Sequence, residues 1–479
     1  MTFNSNYSHK TEPLKHQFEG IKYIEETDAV ALFDEQGLGK SKMVIDALVN
    51  NIRDKIIDSV LVICKKTLME NWKEEIAFHS YLSSIVISGN VNNKFKLFQN
   101  RSDFYIVCYE SVASVIDLLE ILFDTYNLAI VLDESQKIKN PAAKITETIL
   151  SIGSMAKKRI IITGTPIANN PEDIWSQYYF LDGGKTLGKD YQVFREEYGI
   201  NYRSTNVSDY ENRLDPLRES ILNNSLRRTK DVLSLPDKEY HNVIIEMEGK
   251  QRELYDATKK QLLDELEQII NDPDSNITMS TIDNQLVKML RLVQISSNPR
   301  LIDKEYDGAV SKFDKLDELV ERIISQNEKC IIWSSFVSNI EELKIRYSRH
   351  RPAIIHGGIP IEQRNRHISK FKNDPTRKIM IANPSAAKEG LTLVSANNSI
   401  YLDRSFKMDD YLQSQDRIHR IGQTKKCHIY KLLCQETIDE YIDEILQKKE
   451  KVLKYTMGDI NTIEYGDELT LTYLKKILG

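Results

Sequence analysis

AVALFDEQGLGKSKMVIDALV, residues Ala29–Val49, decides the fold of this chain. A short apolar run reads as a buried strand, a polar glycine-bearing loop follows, and apolar residues then recur at helical spacing. Within the loop DEQGLGKS (Asp34–Ser41), Gly37 and Gly39 let backbone N–H groups approach phosphate oxygens. The N-terminus of the following helix favours negative charge. Lys40 is placed to reach the β- and γ-phosphates, and Ser41 to ligate magnesium. The generic phosphate loop opens with glycine, and Asp34 stands in that place.

Strands of the same kind recur outward from this point. VLVIC (Val60–Cys64), FYIVCY (Phe104–Tyr109), LAIVLDE (Leu128–Glu134) and KRIIITGT (Lys158–Thr165) read as buried parallel strands, each separated from the next by room for a crossover helix. The pattern returns in CIIWSSF (Cys330–Phe336), AIIHGG (Ala353–Gly358), KIMIANP (Lys378–Pro384), NNSIYLD (Asn397–Asp403) and CHIYKLL (Cys427–Leu433). Two α/β sheets with helices on both faces follow. From about Tyr191 to Leu301 the chain is polar and helix-like, HNVIIEM (His241–Met247) being its one strong strand run. The turn at Leu235-Pro236-Asp237 reads as a hinge. Residues 1–240 are therefore expected to form a first lobe with a helical insertion, 241–310 a connection and helical protrusion, 311–450 a second lobe, and 451–479 a tail. Thr437 to Lys454 reads as a charged amphipathic helix.

A chain of 479 residues suffices for two or more cores. Its 28% charged and 41% hydrophobic residues are those of an ordinary soluble protein, and a net charge of −6 with pI about 6.0 excludes a surface that is basic throughout. A local basic groove remains compatible with these numbers. The five cysteines contain no C-x-x-C pair, which argues against a zinc finger or a disulfide framework. No apolar run approaches a membrane span, and the N-terminus carries no signal-like segment. A reducing cytoplasm is the expected compartment, bacterial or viral-host rather than nuclear.

LAIVLDESQ (Leu128–Gln136) supplies the second half of a nucleotide site. A hydrophobic strand ending in two carboxylates puts Asp133 at the C-terminal edge of a parallel sheet, where ligands bind. Asp133 is suited to hold magnesium, and Glu134 to orient and deprotonate an attacking water. Thr163 and Thr165 in IITGTPIANN read, alone, as an ordinary strand-to-turn transition. Gln17 offers a donor and an acceptor to an adenine edge. Gly390 in KEGLTL permits close backbone approach to ribose or phosphate. In QSQDRIHRIGQ (Gln413–Gln423), Arg417 and Arg420 share one face if the segment is helical, and a guanidinium fork suits phosphate oxygens.

Taken in order, these segments resemble superfamily-two helicases, and within them the Swi/Snf family of double-stranded DNA translocases. DEQGLGKS is similar to that family's DE-x-GLGK-[ST]. Asn71, Trp72 and Glu75 resemble its N-x-W-x-x-E, and TGTPIANNPEDIWS its TGTPI segment. LRRTKDVLSLPDKE (Leu226–Glu239), LRLVQISSNPRLI (Leu290–Ile302), KFDKLDELVERI and DRIHRIGQ (Asp416–Gln423) resemble its inter-lobe and second-lobe pieces. Three positions depart from it: Ser135-Gln136 stands for Ala/Gly-His, Lys65 for a proline, and Asn298 for the histidine of an H-P pair.

The resemblance implies two RecA-like lobes with helical insertions between them, binding ATP and Mg2+ in the intervening cleft. It implies Gln17 as adenine reader, Lys40 and Ser41 as phosphate and magnesium grip, Asp133 and Glu134 as metal-anchoring and water-activating carboxylates, and Gly390 as a loop touching nucleotide and DNA. Arg417 and Arg420 are implied as γ-phosphate arginines, Arg420 as the finger and Arg417 as the standing contact, although the sequence allows the roles to be exchanged. The expected activity is DNA-dependent ATP hydrolysis driving translocation on double-stranded DNA through phosphate contacts. Two alternatives stand beside it: a strand-separating helicase of replication or repair, which shares every motif, and an ATP-gated subunit of a defence or restriction complex, in which hydrolysis is only a switch. A protein partner supplying targeting is expected, since the motor carries no recognisable zinc or accessory module.

Overall fold

The computed structural model describes residues 9–199, 207–271, 279–387 and 391–462. Six apolar runs in the first half become parallel strands: β1 (Ala29–Leu32), β2 (Ser59–Cys64), β3 (Ser84–Ile87), β4 (Phe104–Cys108), β5 (Leu128–Asp133) and β6 (Lys158–Ile162). They lie in the order β1-β6-β5-β2-β4-β3. Every residue of β2 and β4 is buried, which is why they read as unbroken apolar runs rather than alternating ones. Helices α1 (Lys15–Glu26), α2 (Lys40–Arg53) and α3 (Met69–His79) contribute Ile21, Val44, Leu48, Trp72 and Ile76 to the same core as Val62 and Val131.

The second half builds another parallel sheet from β7 (Lys238–Ile245), β8 (Cys330–Trp333), β9 (Ala353–Ile355), β10 (Ile379–Ala382), β11 (Asn398–Tyr401) and β12 (Cys427–Cys434). Its order is β7-β12-β11-β8-β10-β9. Numbered from its own first strand, each sheet reads 1-6-5-2-4-3. The chain is therefore wound twice in the same way, as two RecA-like lobes. Residues 9–199, Ser208–Ser234 and 451–462 gather into one compact unit, and Leu235–Glu450 into the other.

Some elements differ from the sequence expectation. Lys238–Ile245 is not part of a connection: it pairs over eight residues with β12, from Lys238 opposite Cys427 to Ile245 opposite Cys434. Residues 240, 242 and 244 are exposed, so this edge strand alternates and lacks the apolar signature of a central one. β3, a four-residue strand that is half-buried along most of its length, is not among the runs read from the sequence. The helices Gly249–Asn271 and Met279–Ser297 follow β7 and belong to the second unit. The amphipathic helix of the C-terminal region spans Ile438–Thr456, and from Lys451 onward the chain is counted with the first unit. No described helix is long and apolar enough to cross a membrane.

Candidate nucleotide-binding site

The loop after β1 turns on Gly37 (φ 90°) and Gly39 (φ 80°), left-handed conformations that a side chain disfavours. A Cβ on Gly39 would stand 2.3 Å from Gln17 Nε2. The helix that begins at Lys40 has no acidic residue in its own first turn to offset the positive end of its dipole. Ser41 is the second residue of that helix. The Lys40 ammonium donates to the carbonyls of Asp34 (2.7 Å) and Glu35 (3.2 Å). Burial pushes its pKa down, while the charges of Asp34, Glu134 and Asp133 hold it up. Asp34, Glu134 and Asp133 thus lie close enough for their charges to act on the Lys40 side chain against the effect of burial.

Asp34 occupies the position of the usual glycine because it has a structural partner. It is fully buried, and Arg228 grips both its oxygens, Nε to Oδ1 at 3.1 Å and Nη2 to Oδ2 at 2.5 Å. The segment carrying Arg228 runs beside the free edge of β1. Leu226 N–H donates to the Ala31 carbonyl (2.9 Å), Phe33 N–H to Leu226 (2.8 Å), and Glu35 N–H to Arg228 (2.9 Å). Glu35 in turn accepts from the Lys230 N–H at 2.7 Å. Neighbouring Arg227 pairs with both oxygens of Asp459 and donates to the Phe33 carbonyl at 2.7 Å.

At the end of β5, Asp133 accepts from Trp72 Nε1 at 2.8 Å, and Tyr109 donates to its carbonyl at 2.9 Å. Burial and the adjacent Glu134 charge raise the Asp133 pKa to about 7, against the pull of Trp72, Lys40 and Lys65. Glu134 adopts φ 54°, a left-handed conformation uncommon outside glycine, and Gln136 Nε2 donates to its Oε2 at 2.6 Å. Ser135 donates to Gln177 Oε1 (2.7 Å), whose Nε2 reaches the Pro166 carbonyl (2.7 Å). The threonine turn is thereby fixed beside the carboxylates. A Cβ on Gly164 would lie 2.8 Å from Gln36 Cγ, and Thr165 N–H donates to Thr163 Oγ1 at 3.0 Å.

Loop 34–41, carboxylates 133–134 and turn 163–166 thus meet at the C-terminal ends of β1, β5 and β6, with β6 lying between the other two. Gln17 is buried next to them. Its Oε1 accepts from the Leu14 N–H (2.8 Å) and its Nε2 donates to the Leu38 carbonyl (3.2 Å), so it holds the loop as well as facing it. The donor set suits a nucleotide with a hard cation: backbone N–H groups and an ammonium for phosphate, a hydroxyl and carboxylates for Mg2+. A buried carboxylate raised to about 7 is one whose charge a dication would stabilise.

Arg417 and Arg420 belong to the second unit. The helix Met408–Gln415 ends before them, so the condition for a shared helical face is not met and a turn that closes at Gly422 (φ 98°) takes its place. They converge nonetheless: Arg417 Nη1 and Arg420 Nη1 donate to the Leu391 carbonyl at 3.2 and 3.4 Å. Arg417 is buried and also donates to Gln413 O (2.9 Å), while Arg420 is half-buried. Gln423 fastens the turn by donating to the carbonyls of Ala396 and Ile418, both at 2.9 Å. Gly390 lies outside the described residues.

Two sequence comparisons bear on this arrangement. A model of the SNF2-related domain matches residues 16–301, and one of the helicase conserved C-terminal domain matches 311–422. The chain belongs to the SNF2-related family. An uncharacterized ATP-dependent helicase of Mycoplasma pneumoniae is 27% identical over 479 residues, covering 96% of this chain and 44% of the relative. Another, of Mycoplasma genitalium, is 26% identical over 460 residues, covering 93% and 42%. The chain therefore spans less than half the length of these curated relatives. A solved SWI2/SNF2 ATPase core of Sulfolobus solfataricus in complex with double-stranded DNA is 26% identical, with coverage of 99% and 97% and a TM-score of 0.44.

Within this SNF2-related frame, the unusual residues have local accounts. Lys65, in place of proline, contributes positive charge to Asp133. Asn298, in place of histidine, accepts from the Arg300 N–H (3.1 Å) and donates to Glu342 Oε2 (2.7 Å). Gln136 supplies a neutral donor to Glu134. Sequence reasoning missed the work of Arg228, and gave Trp72 and Gln136 no contact. The signal for Arg228 was Asp34 itself, since a carboxylate inside a phosphate loop requires a cation of its own.

Proposed function

We propose that this SNF2-related chain is an ATP hydrolase that drives movement along double-stranded DNA. The observation that carries the reading is the meeting of Lys40, Asp133 and Glu134 at one sheet edge, with Glu134 in a left-handed conformation and its carboxylate held by Gln136. Membership of the family supports the choice of polymer. Gly37, Gly39 and the first turn of α2 receive the triphosphate, and Lys40 moves from its loop carbonyls onto the phosphates. Ser41 and Asp133 would hold Mg2+, whose charge would offset that of the phosphates. Glu134 orients the attacking water and takes its proton, and Trp72 keeps Asp133 in place. Arg417 and Arg420 are assigned to charge developing on the γ-phosphate. Contacts to DNA are assigned to its phosphates, which makes binding salt-sensitive and indifferent to sequence.

The test is ATP turnover of wild type and Lys40→Ala with no nucleic acid, with single-stranded DNA, with duplex DNA and with RNA. Duplex-stimulated turnover that Lys40→Ala abolishes is expected. Turnover independent of DNA, or surviving the substitution, refutes the reading.

A further inference from the structure

One cluster among the described residues has metal-ligand chemistry away from the nucleotide site: Glu239, His241 and His428. Glu239 and His241 alternate along β7 and so share a face of the sheet. The parallel register puts His428 of β12 opposite Glu239, and Tyr430 opposite His241. His241 Nε2 lies 3.1 Å from His428 Nδ1. Glu239 Oε2 lies 3.4 Å from His428 Nδ1 and 4.0 Å from His241 Nε2. Around a tetrahedral ion with bonds of about 2.0–2.1 Å, neighbouring ligand atoms stand about 3.3 Å apart. The three atoms already approximate one face of such a polyhedron.

We propose that Glu239, His241 and His428 form a binding site for a first-row divalent cation, Zn2+ foremost, with its remaining positions filled by water. Two imidazoles and one carboxylate select against Mg2+ and Ca2+, which take all-oxygen shells. The neighbours suit the role. Lys426 takes the other carboxylate oxygen, Oε1, at 2.6 Å and leaves Oε2 toward the histidines. The Tyr430 ring stacks on His241 with centroids 4.6 Å apart and restrains its plane, and Arg322 lies over the far partner of that stack, 5.6 Å from the Tyr430 ring.

The placement gives the ion a structural consequence. β7 is one of the two edge strands of the second sheet, and β12 is its neighbour there. An ion held by both would cross-link the strand that follows the Leu235-Pro236-Asp237 turn to β12, the last strand of the sheet in chain order. The absence of C-x-x-C pairs excludes a cysteine finger but does not touch a site of this composition.

The test uses the full chain, stripped with a chelator and free of nucleotide and Mg2+. Zn2+ is titrated by calorimetry, and Co2+ by its visible absorption, against wild type, His241→Asn, His428→Asn, Glu239→Gln and the remote control His350→Asn. Wild type and the control are expected to bind one equivalent and to melt at higher temperature with Zn2+. The two histidine variants should bind more weakly by more than the about 10–100-fold that loss of an outer-shell partner costs. Circular dichroism separates loss of the site from loss of the fold, and Glu239→Gln, at a half-buried carboxylate, provides a second ligand deletion. No binding by wild type, or undiminished binding by folded histidine and glutamate variants, overturns the proposal.

Discussion

Glu134 sits at φ 54° with its carboxylate anchored by an amide two residues on. A side chain held in a costly backbone conformation marks a place where geometry matters more than local stability. A hydrogen bond to a charged group contributes about 1.5–3 kcal/mol, which is about 10–100-fold in rate if its loss lets the base wander. Gln136→Ala is accordingly expected to slow ATP turnover by about that factor. Nucleotide affinity should stay within about threefold, since the amide touches no phosphate-binding group. Equal losses in affinity and turnover contradict a positioning role. The neighbouring carboxylate makes a prediction about pH. The folded Asp133 pKa of about 7 lies above the ordinary value, so the folded chain keeps a proton that the unfolded chain has released. Its contribution to stability is present in full below about pH 4 and is lost as pH rises toward 7. In metal-free, nucleotide-free protein, the melting temperature of wild type should fall from pH 5 to pH 8 more than that of Asp133→Asn. Parallel curves would show that Asp133 is not raised.

At the scale of elements, the central strands were legible because burial on both faces leaves an unbroken apolar run. Two of the four edge strands were harder: β3 is only half-buried, and β7, readable as a strand run, shows three exposed positions in eight and gives no sign of the sheet it joins. The arginine segment, whose shared face depended on a helix, lies beyond one that stops at Gln415. The phosphate loop was legible as a motif, but its support was not, because Arg228 lies 194 residues from Asp34. That pair is buried on both sides, at 9% and 0% side-chain exposure. Removing one partner of a buried pair leaves an uncompensated charge and costs about 3–5 kcal/mol. Arg228→Met is therefore expected to lower the melting temperature of the first unit and weaken nucleotide binding together. Adding Asp34→Asn should restore much of the stability, because the stranded charge is gone. A double variant no more stable than Arg228→Met would show that the arginine acts through packing rather than charge.

At the scale of the whole molecule, one winding used twice raises the question of why only the first copy carries a phosphate loop. In the first lobe β1 leads into DEQGLGKS, whereas in the second the equivalent strand β7 leads into the helix Gly249–Asn271, which begins at Gly249 (φ 56°) and carries no such loop. The second lobe instead places arginines after the helix that precedes its last strand. Under the proposed function, the first unit binds the nucleotide and the second completes the chemistry. Binding and hydrolysis should then separate by substitution. Arg420→Ala, at the half-buried position, is expected to leave nucleotide affinity within about threefold while cutting duplex-stimulated turnover by about 10³–10⁵-fold, the range an arginine finger supplies. Arg417→Ala should also slow turnover but lower stability as well, because its guanidinium is buried against the carbonyls of Gln413 and Leu391. Turnover and melting temperature measured on both variants distinguish the roles. A wild-type rate in Arg420→Ala removes it from the reaction, whatever Arg417 does.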